Sequence, residues 1–116
     1  MAIKRLQSNR RMSQIVIHND TVYLAGQVGE DMAAGIAQQM RETLASIEKL
    51  LAEAGTDKTR ILSVTIYLKD VDADFAGMNQ VWDQWLPDGV APARATVDAK
   101  LSAPEILVAQ PVVAAL

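Results

Sequence analysis

The chain has 116 residues, half of them hydrophobic and 22% charged, which predicts one soluble globular domain over residues 1–116 and excludes a disordered chain. Eleven Lys and Arg residues against fourteen Asp and Glu give a net charge of −3, which disfavours nucleic acid as a partner because the overall field repels phosphates. The absence of cysteine excludes disulfides, thiolate metal sites and a Cys nucleophile.

The first residues, MAIKRLQSNRRMSQ, are basic but lack the apolar core of a signal peptide. No other stretch approaches the ~18 apolar residues of a membrane span. We therefore expect a cytoplasmic protein with no membrane partner. The basic cluster of Lys4, Arg5, Arg10 and Arg11 contains no aromatic side chain on which a base could stack, so it does not predict RNA binding.

Residues 15–17 and 22–24 are short apolar runs separated by a polar His-Asn-Asp segment, which predicts a β-hairpin. His18, the only histidine, is interpreted as a turn residue rather than an acid–base group. The following GQVGED segment lacks both the Lys-Ser/Thr pair of a phosphate-binding loop and the three glycines of a dinucleotide site.

Two amphipathic helices are predicted. The first runs from Asp31, as its N-cap, to Ala54, and Gly55 ends it. The second lies within residues 72–86 and ends before Pro87; the acidic residues at 70–74 favour its N-terminus and lack the pattern of a calcium loop. The predicted core positions are Ile36, Met40, Leu44, Ile47, Leu51 and Ala54 in the first helix and Phe75, Met78, Trp82, Trp85 and Leu86 in the second.

Residues 61–69 alternate apolar and polar side chains and predict a half-buried strand between the helices. Two more strands are predicted at 91–101 and within 105–116. Since Pro111 cannot donate a backbone hydrogen bond, the last strand is expected at a sheet edge or bulged at that residue.

The resulting order is β-β-α-β-α-β-β, with an additional N-terminal strand left open, and it predicts an α+β sandwich with two helices on one face of a mixed sheet. No helix remains to cover the opposite face, which carries Tyr23, Ala25, Thr65 and Tyr67. Other subunits are expected to bury it.

Arg94 opens a strand whose polar face, expected to point outward, continues with Thr96, Asp98 and Lys100. For Asp98 and Lys100 we expect simple solvation. Arg94 follows the rigid, uncharged segment GVAPA, and a guanidinium matches a carboxylate bidentately, so this residue suggests an anchor for a small acid. An ordinary ion-pair partner is the alternative.

Three stretches, SQIVIHNDTVYLAGQVGED, LAEAGTDKTRILSVTIYLKDVDADFAGMNQVWDQWL and APARATVDAKL, resemble the RidA/YjgF/UK114 family, and most closely its short YoaB-like bacterial branch. The most specific marks are GQ at 26–27, DFAGMN at 74–79 and PAR at 92–94. The resemblance implies a chorismate-mutase-like fold assembled as a homotrimeric barrel with clefts between subunits. It also implies hydrolysis of reactive enamines and imines to 2-oxo acids and ammonia, with no metal or organic cofactor.

The resemblance assigns site residues by position. Arg94 matches the arginine that pairs with the substrate carboxylate, and Gly26 matches the glycine whose N–H holds the ligand. Asn79 matches the asparagine of the helix motif, and Thr96 stands where many members have cysteine. The predicted catalytic residue is therefore Arg94, and the predicted substrate-binding residues are Gly26, Asn79, Arg94 and Thr96.

Three positions depart from the family pattern. Ala109 replaces the glutamate that orients water, Ala25 replaces a serine, and Met12 stands where tyrosine is common. Glu105 would share the strand face of Ala109 but would lie ~13 Å from it, too far to substitute. Two hypotheses follow: a deaminase of small 2-imino acids, and a non-catalytic protein that binds a small carboxylate in the same clefts. A protein- or RNA-binding regulator is a third and weaker hypothesis.

Overall fold

A computed structural model describes residues 2–116. Its elements, in chain order, are β1 (Ile3–Ser8), β2 (Ser13–His18), β3 (Thr21–Gln27), α1 (Ile36–Ala54), a short 3₁₀ turn (Lys58–Arg60), β4 (Ile61–Leu68), α2 (Val71–Trp85), β5 (Ala93–Asp98) and β6 (Val108–Ala115). Neither helix in the described part of the chain is long and apolar enough to cross a membrane.

The six strands form one sheet in the order β1-β2-β3-β6-β4-β5. β4 and β5 pair in parallel, and every other neighbouring pair is antiparallel. Both helices pack on the same face of this sheet, α1 over β2, β3 and β6, and α2 over β4 and β5. The predicted fold class is confirmed, and β1 is the additional N-terminal strand.

The core lies between the helices and the sheet. Helix α1 inserts Met40, Leu44, Ile47 and Leu51, all of them fully or almost fully buried, as its apolar spacing predicts. The four strands β2, β3, β4 and β6 contribute the buried strand residues of the same core. The buried strand residues include Ile15, Val22, Leu24, Val64, Ile66, Leu68, Val108 and Val112.

The second helix meets this core with fewer residues than predicted. Met78 and Trp82 are buried, and Trp85 and Leu86 are half-buried. Phe75, however, is 43% exposed, so its predicted place in the core is wrong. It lies in the second turn of α2.

Helix α1 begins at Ile36, so the predicted start at Asp31 is wrong. The Asp31 carboxylate instead accepts a hydrogen bond from the Ala33 N–H at 3.0 Å, which makes a local turn. The N–H groups of Glu30 and Asp31 both donate to one carboxylate oxygen of Glu42, each at 2.9 Å. These bonds hold the segment as a loop against the first turns of the helix.

The strand that contains Pro111 is central, between β3 and β4, so the predicted edge position is wrong. A bulge does occur at this place in the sheet, but it lies in the partner strand β3 and not, as predicted, in the strand of Pro111. The register of β3 against β6 shifts between Leu24 and Gln27. Ala25 and Gly26 therefore lie opposite Pro111, two residues against one, which accommodates the missing N–H within the sheet.

The last two strands are shorter than predicted. β5 covers 93–98, and β6 begins at Val108. Glu105 consequently lies in the loop before β6, and the expectation that it shares the strand face of Ala109 is wrong. Its carbonyl accepts a hydrogen bond from the side chain of Gln39 at 2.9 Å, which fixes the loop against α1.

Two glutamines are buried in the core with opposite environments. The Gln39 amide donates to the carbonyls of Ala34 and Glu105 and accepts from the Leu107 N–H at 2.9 Å. Gln110 is fully buried on β6, and neither its amide nitrogen nor its amide oxygen has a hydrogen-bond partner among residues 2–116. A buried amide without partners opposes folding, whereas a bonded one supports it.

We therefore expect two similar substitutions to have opposite effects. Gln110→Met should raise the free energy of unfolding by about 1 kcal/mol, because it removes unsatisfied polar atoms while keeping the volume. Gln39→Met should lower it by about 2–3 kcal/mol, because three backbone groups lose their partners. Urea unfolding at one fixed protein concentration measures both. A loss of stability in both variants would contradict this interpretation of Gln110.

Candidate functional site

An open groove of about 400 Å³ lies where the end of α2 meets the start of β5. It is lined by Asn79, Trp82, Asp83, Ala91, Pro92 and Arg94. The three α2 residues share a face because they are spaced three and four positions apart. The groove therefore brings together two of the predicted site residues, Asn79 and Arg94.

Arg94 is held against an aromatic ring and not against an acid. Its guanidinium carbon lies 5.4 Å from the ring centroid of Trp82, a cation–π contact that contributes about 0.5–1 kcal/mol at an exposed site. The one ion pair among residues 2–116 joins Lys58 to Glu48. The charge of Arg94 is thus not neutralised within the described chain, and the ion-pair alternative finds no partner there.

The polar face of β5 lies on the helix-covered side of the sheet, where Arg94 and Asp98 are exposed, as expected, and Thr96 is half-buried. Arg94 pairs with Val64, and Thr96 pairs with Ile66, across the parallel ladder. Since Val64 and Ile66 are buried under the helices, Arg94 and Thr96 lie on the helix-covered face at the edge of the sheet. Packing against Trp82 directs the arginine into the groove.

Thr96 carries an unused polar atom. Its hydroxyl oxygen is buried and has no hydrogen-bond partner among residues 2–116. It follows Arg94 by two residues, so both side chains lie on one face of β5. A buried hydroxyl costs free energy when it has no partner.

Gly26 lies in a different part of the chain, in the bulge of β3 opposite Pro111. It is exposed, and a Cβ built at this residue would have no atom within 4 Å, so there is open space beside its α-carbon. Ala25 on β3 and Ala109 on β6 are nearby, because the two strands pair at Gln27 and Gln110. This end of the sheet carries two of the three positions that depart from the family pattern.

The two groups of predicted residues cannot contact one small ligand within a single chain. β3 and β5 are three strand spacings apart in the sheet, which separates Gly26 from Arg94 by about 14 Å. Ala109 pairs with Tyr67, on the face without helices, whereas Arg94 lies on the opposite face. Each chain therefore holds the predicted site residues in two separate groups, the two predicted half-sites.

The face without helices is open in the single chain, as the sequence predicts. Tyr23 is 46% exposed and Val97 is 40% exposed, and both lie on this face. Thr65, Pro111 and Val113 line a depression of about 210 Å³ beside Tyr23. An apolar sheet face of this kind is typical of a surface that contacts other subunits.

Sequence reasoning missed Trp82 and Asp83 as lining residues and Glu42 as a positioning residue. Their spacing from Asn79 could have identified the first two. Glu42 fixes the loop that follows Gly26, and hydrogen bonds from the Asp31 N–H and the Gln38 side chain lower the pKa of its carboxyl below the usual range. It therefore stays ionised and keeps holding the loop under mildly acidic conditions.

The remaining charged candidates lie elsewhere. His18 ends β2 beside the hairpin turn, four strand spacings from β5. Asp98 and Lys100 are exposed, as expected. Lys4 and Arg5 are consecutive on β1, so their side chains point to opposite faces and do not form one basic surface.

The fold and motifs have clear counterparts among known proteins. A family model described as Endoribonuclease L-PSP matches residues 2–116. The chain belongs to the RidA/YjgF family. A RutC family protein, YoaB of Escherichia coli K12, is 43% identical over 116 residues, all of both chains. A crystal structure of a YjgF family member from Neisseria meningitidis superimposes with a TM-score of 0.95 at 40% identity, covering 99% of this chain and 95% of that one.

A more distant relative of this RidA/YjgF chain is named for an enzymatic activity. The 2-iminobutanoate/2-iminopropanoate deaminase of Bos taurus is 35% identical over 89 residues, which are 72% of this chain and 64% of the bovine protein. That name describes the bovine protein. The resemblance stated from the motifs is confirmed at the level of the family.

We expect Thr96→Val to have different effects on the stability of the protein and on its affinity for a ligand. Because the hydroxyl has no protein partner, its replacement by a methyl group should leave the free energy of unfolding unchanged or raise it by up to about 1 kcal/mol. Affinity for a small carboxylate should fall several-fold if the ligand uses that hydroxyl. Thermal unfolding and a ligand titration by NMR measure the two quantities. A clear loss of stability would mean that the hydroxyl has a structural role.

Proposed function

We propose that this protein is a deaminase that hydrolyses small 2-imino acids to 2-oxo acids and ammonia, in clefts between the subunits of a homotrimer. The observation that carries the proposal is the Arg94 guanidinium, which lines a groove over Trp82 with no acidic partner in the described chain. A fixed, unpaired guanidinium is suited to bind the carboxylate of such a substrate bidentately.

The separation of the half-sites supports an assembly with clefts between subunits. In the trimer, the groove of one subunit, with Arg94 and Asn79, faces the bulge of its neighbour, with Gly26. The N–H of Gly26 then positions the ligand from the opposite wall. The open sheet face around Tyr23 forms the interior of the barrel, where it is buried against the other two subunits.

The reaction requires a proton on the imine nitrogen and a water molecule directed at the carbon. Water adds to that carbon, and one proton passes from the water oxygen to the nitrogen to give a protonated carbinolamine. The remaining O–H proton then passes to solvent as the C=O bond forms and the C–N bond breaks, which releases ammonia and the 2-oxo acid. Asn79 and the Gly26 N–H position the substrate, and the nucleophile is solvent. Since Ala109 supplies no carboxylate, binding and orientation contribute more to the rate than general-base catalysis.

Ala109 also supports the second candidate function. A pocket with an arginine anchor and no carboxylate to activate water can bind a stable small acid without transforming it. In that case the protein is a carboxylate-binding member of the family. Hydrolysis measured with the wild-type protein distinguishes the two candidates.

The proposed role of Arg94 as the carboxylate anchor predicts the effect of its removal on the rate of hydrolysis. 2-Iminopropanoate generated in situ should disappear faster with the wild-type protein than with Arg94→Ala, as followed by semicarbazide trapping. We expect a difference of about 10- to 100-fold in kcat/KM, the value of a hydrogen bond to a charged group. Arg41→Ala, which removes an exposed arginine of α1 outside the groove, is the matched control. Equal rates for the wild type and Arg94→Ala would exclude the proposed deaminase.

The missing glutamate predicts a gain of function. Ala109→Glu returns a carboxylate to the face that meets the neighbouring groove, and a positioned general base contributes about 10²- to 10⁴-fold. We expect imine hydrolysis to rise by at least ~10-fold in this variant. The double variant Arg94→Ala, Ala109→Glu should lose the gain. A gain that persists without Arg94 would place the reaction outside this cleft.

A further inference from the structure

The groove that contains Arg94 also contains one acidic side chain, Asp83. It follows Asn79 by one helical turn and is exposed at the end of α2. Asp83 has no ion-pair partner among its neighbours along the helix. The residues three and four positions away carry no charge: Asn79, Gln80, Leu86 and Pro87. Asp83 and Arg94 do not neutralise each other either, since the one ion pair among residues 2–116 is Lys58 with Glu48.

A cation and an anion that line one groove without forming an ion pair are complementary to a ligand that carries both charges. The substrate of the proposed reaction is such a ligand once it is protonated. Its carboxylate is negative, and its nitrogen must be positive before water adds to the neighbouring carbon. Trp82 and Pro92 line the same groove.

We propose that Asp83 binds the protonated nitrogen while Arg94 binds the carboxylate, so that the site selects zwitterions. This inference rests on the proposed function for the location of the site. The ligand class is 2-iminio acids and the 2-amino acids that share their charges. Asp83 favours the protonated imine over the neutral one, which supplies part of the electrostatic stabilisation that Ala109 cannot give.

The same arrangement favours release of the product. Hydrolysis removes the cationic nitrogen, so the 2-oxo acid keeps its bond to Arg94 and loses its attraction to Asp83. The product is therefore held less tightly than the protonated substrate. The 2-amino acid, which cannot be hydrolysed, remains bound and competes with the substrate.

The test compares two probes of equal carbon skeleton, 2-aminobutanoate and 2-oxobutanoate, by NMR titration of the full-length protein. The wild type should bind 2-aminobutanoate about two- to fivefold more tightly, the range of an exposed charge pair. Asp83→Asn should abolish this preference without weakening 2-oxobutanoate. Asp83→Glu should retain it, and so should Asp72→Asn, which removes an exposed acid three turns earlier on the same helix. Arg94→Ala should weaken both probes.

The proposal is overturned if the wild type shows no preference, binds neither probe, or keeps its preference in Asp83→Asn. Its failure is distinguishable from failure of the proposed function, because imine hydrolysis is measured separately. Arg94-dependent hydrolysis with no effect of Asp83 on probe preference leaves a deaminase with a different cation site. A preference that depends on Asp83 without any hydrolysis leaves a zwitterion-binding protein.

Discussion

The parallel pairing of β5 with β4 determines how this protein presents its chemistry. It places Arg94 level with the buried Val64, on the face of the sheet that α2 covers, and Trp82 then supports the guanidinium from the side of the helix. An aromatic ring holds the cation without neutralising it, which an aspartate in the same place would do. The positive charge of Arg94 therefore remains available to a ligand in the groove, because the contact that supports the guanidinium is with the face of the Trp82 ring.

The centre of the sheet imposes a second constraint. Pro111 lies in a strand that is paired on both sides, and β3 responds with a bulge that inserts one residue. Without the bulge, alternation would turn Gln27 away from the helices; with it, Gln27 is buried and accepts a hydrogen bond from Ser46 on α1 at 2.8 Å. The same bulge exposes Gly26. One proline thus connects the packing of the core with the second half-site.

These two features lie about three strands apart, and this distance explains why assembly and activity are connected in the proposed mechanism. A chain that placed the anchor and the Gly26 N–H together would need no partner. In the proposed trimer, the open sheet face and the divided site both require a neighbouring subunit. In that arrangement Ala109 leaves one wall of the cleft without a carboxylate, and Asp83 lies on the opposite wall, where we propose that it binds a proton-bearing nitrogen and does not activate water.

The sequence by itself determined the type and order of most elements, because periods of two and of three to four are local properties of the chain. The interior of α1, with Met40, Leu44 and Ile47, and the strand at 61–68 followed from them. The motifs around Gly26, Asn79 and Arg94 were sufficient to predict the family. The start of α1 was misplaced because the loop before it is stabilised by Glu42, a residue two turns into the helix. Phe75 was wrongly placed in the core because helical spacing predicts which side of a helix is buried but not how wide the buried stripe is.

Only the tertiary structure decided which strands are neighbours. The central place of β6, the bulge opposite Pro111, the direction of Arg94 toward Trp82 and the presence of Asp83 in the same groove all depend on contacts between residues distant in the chain. Local patterns carry no information about such pairings, because a strand shows the same alternation at an edge as at the centre. Sheet order therefore determined the division of the site into halves.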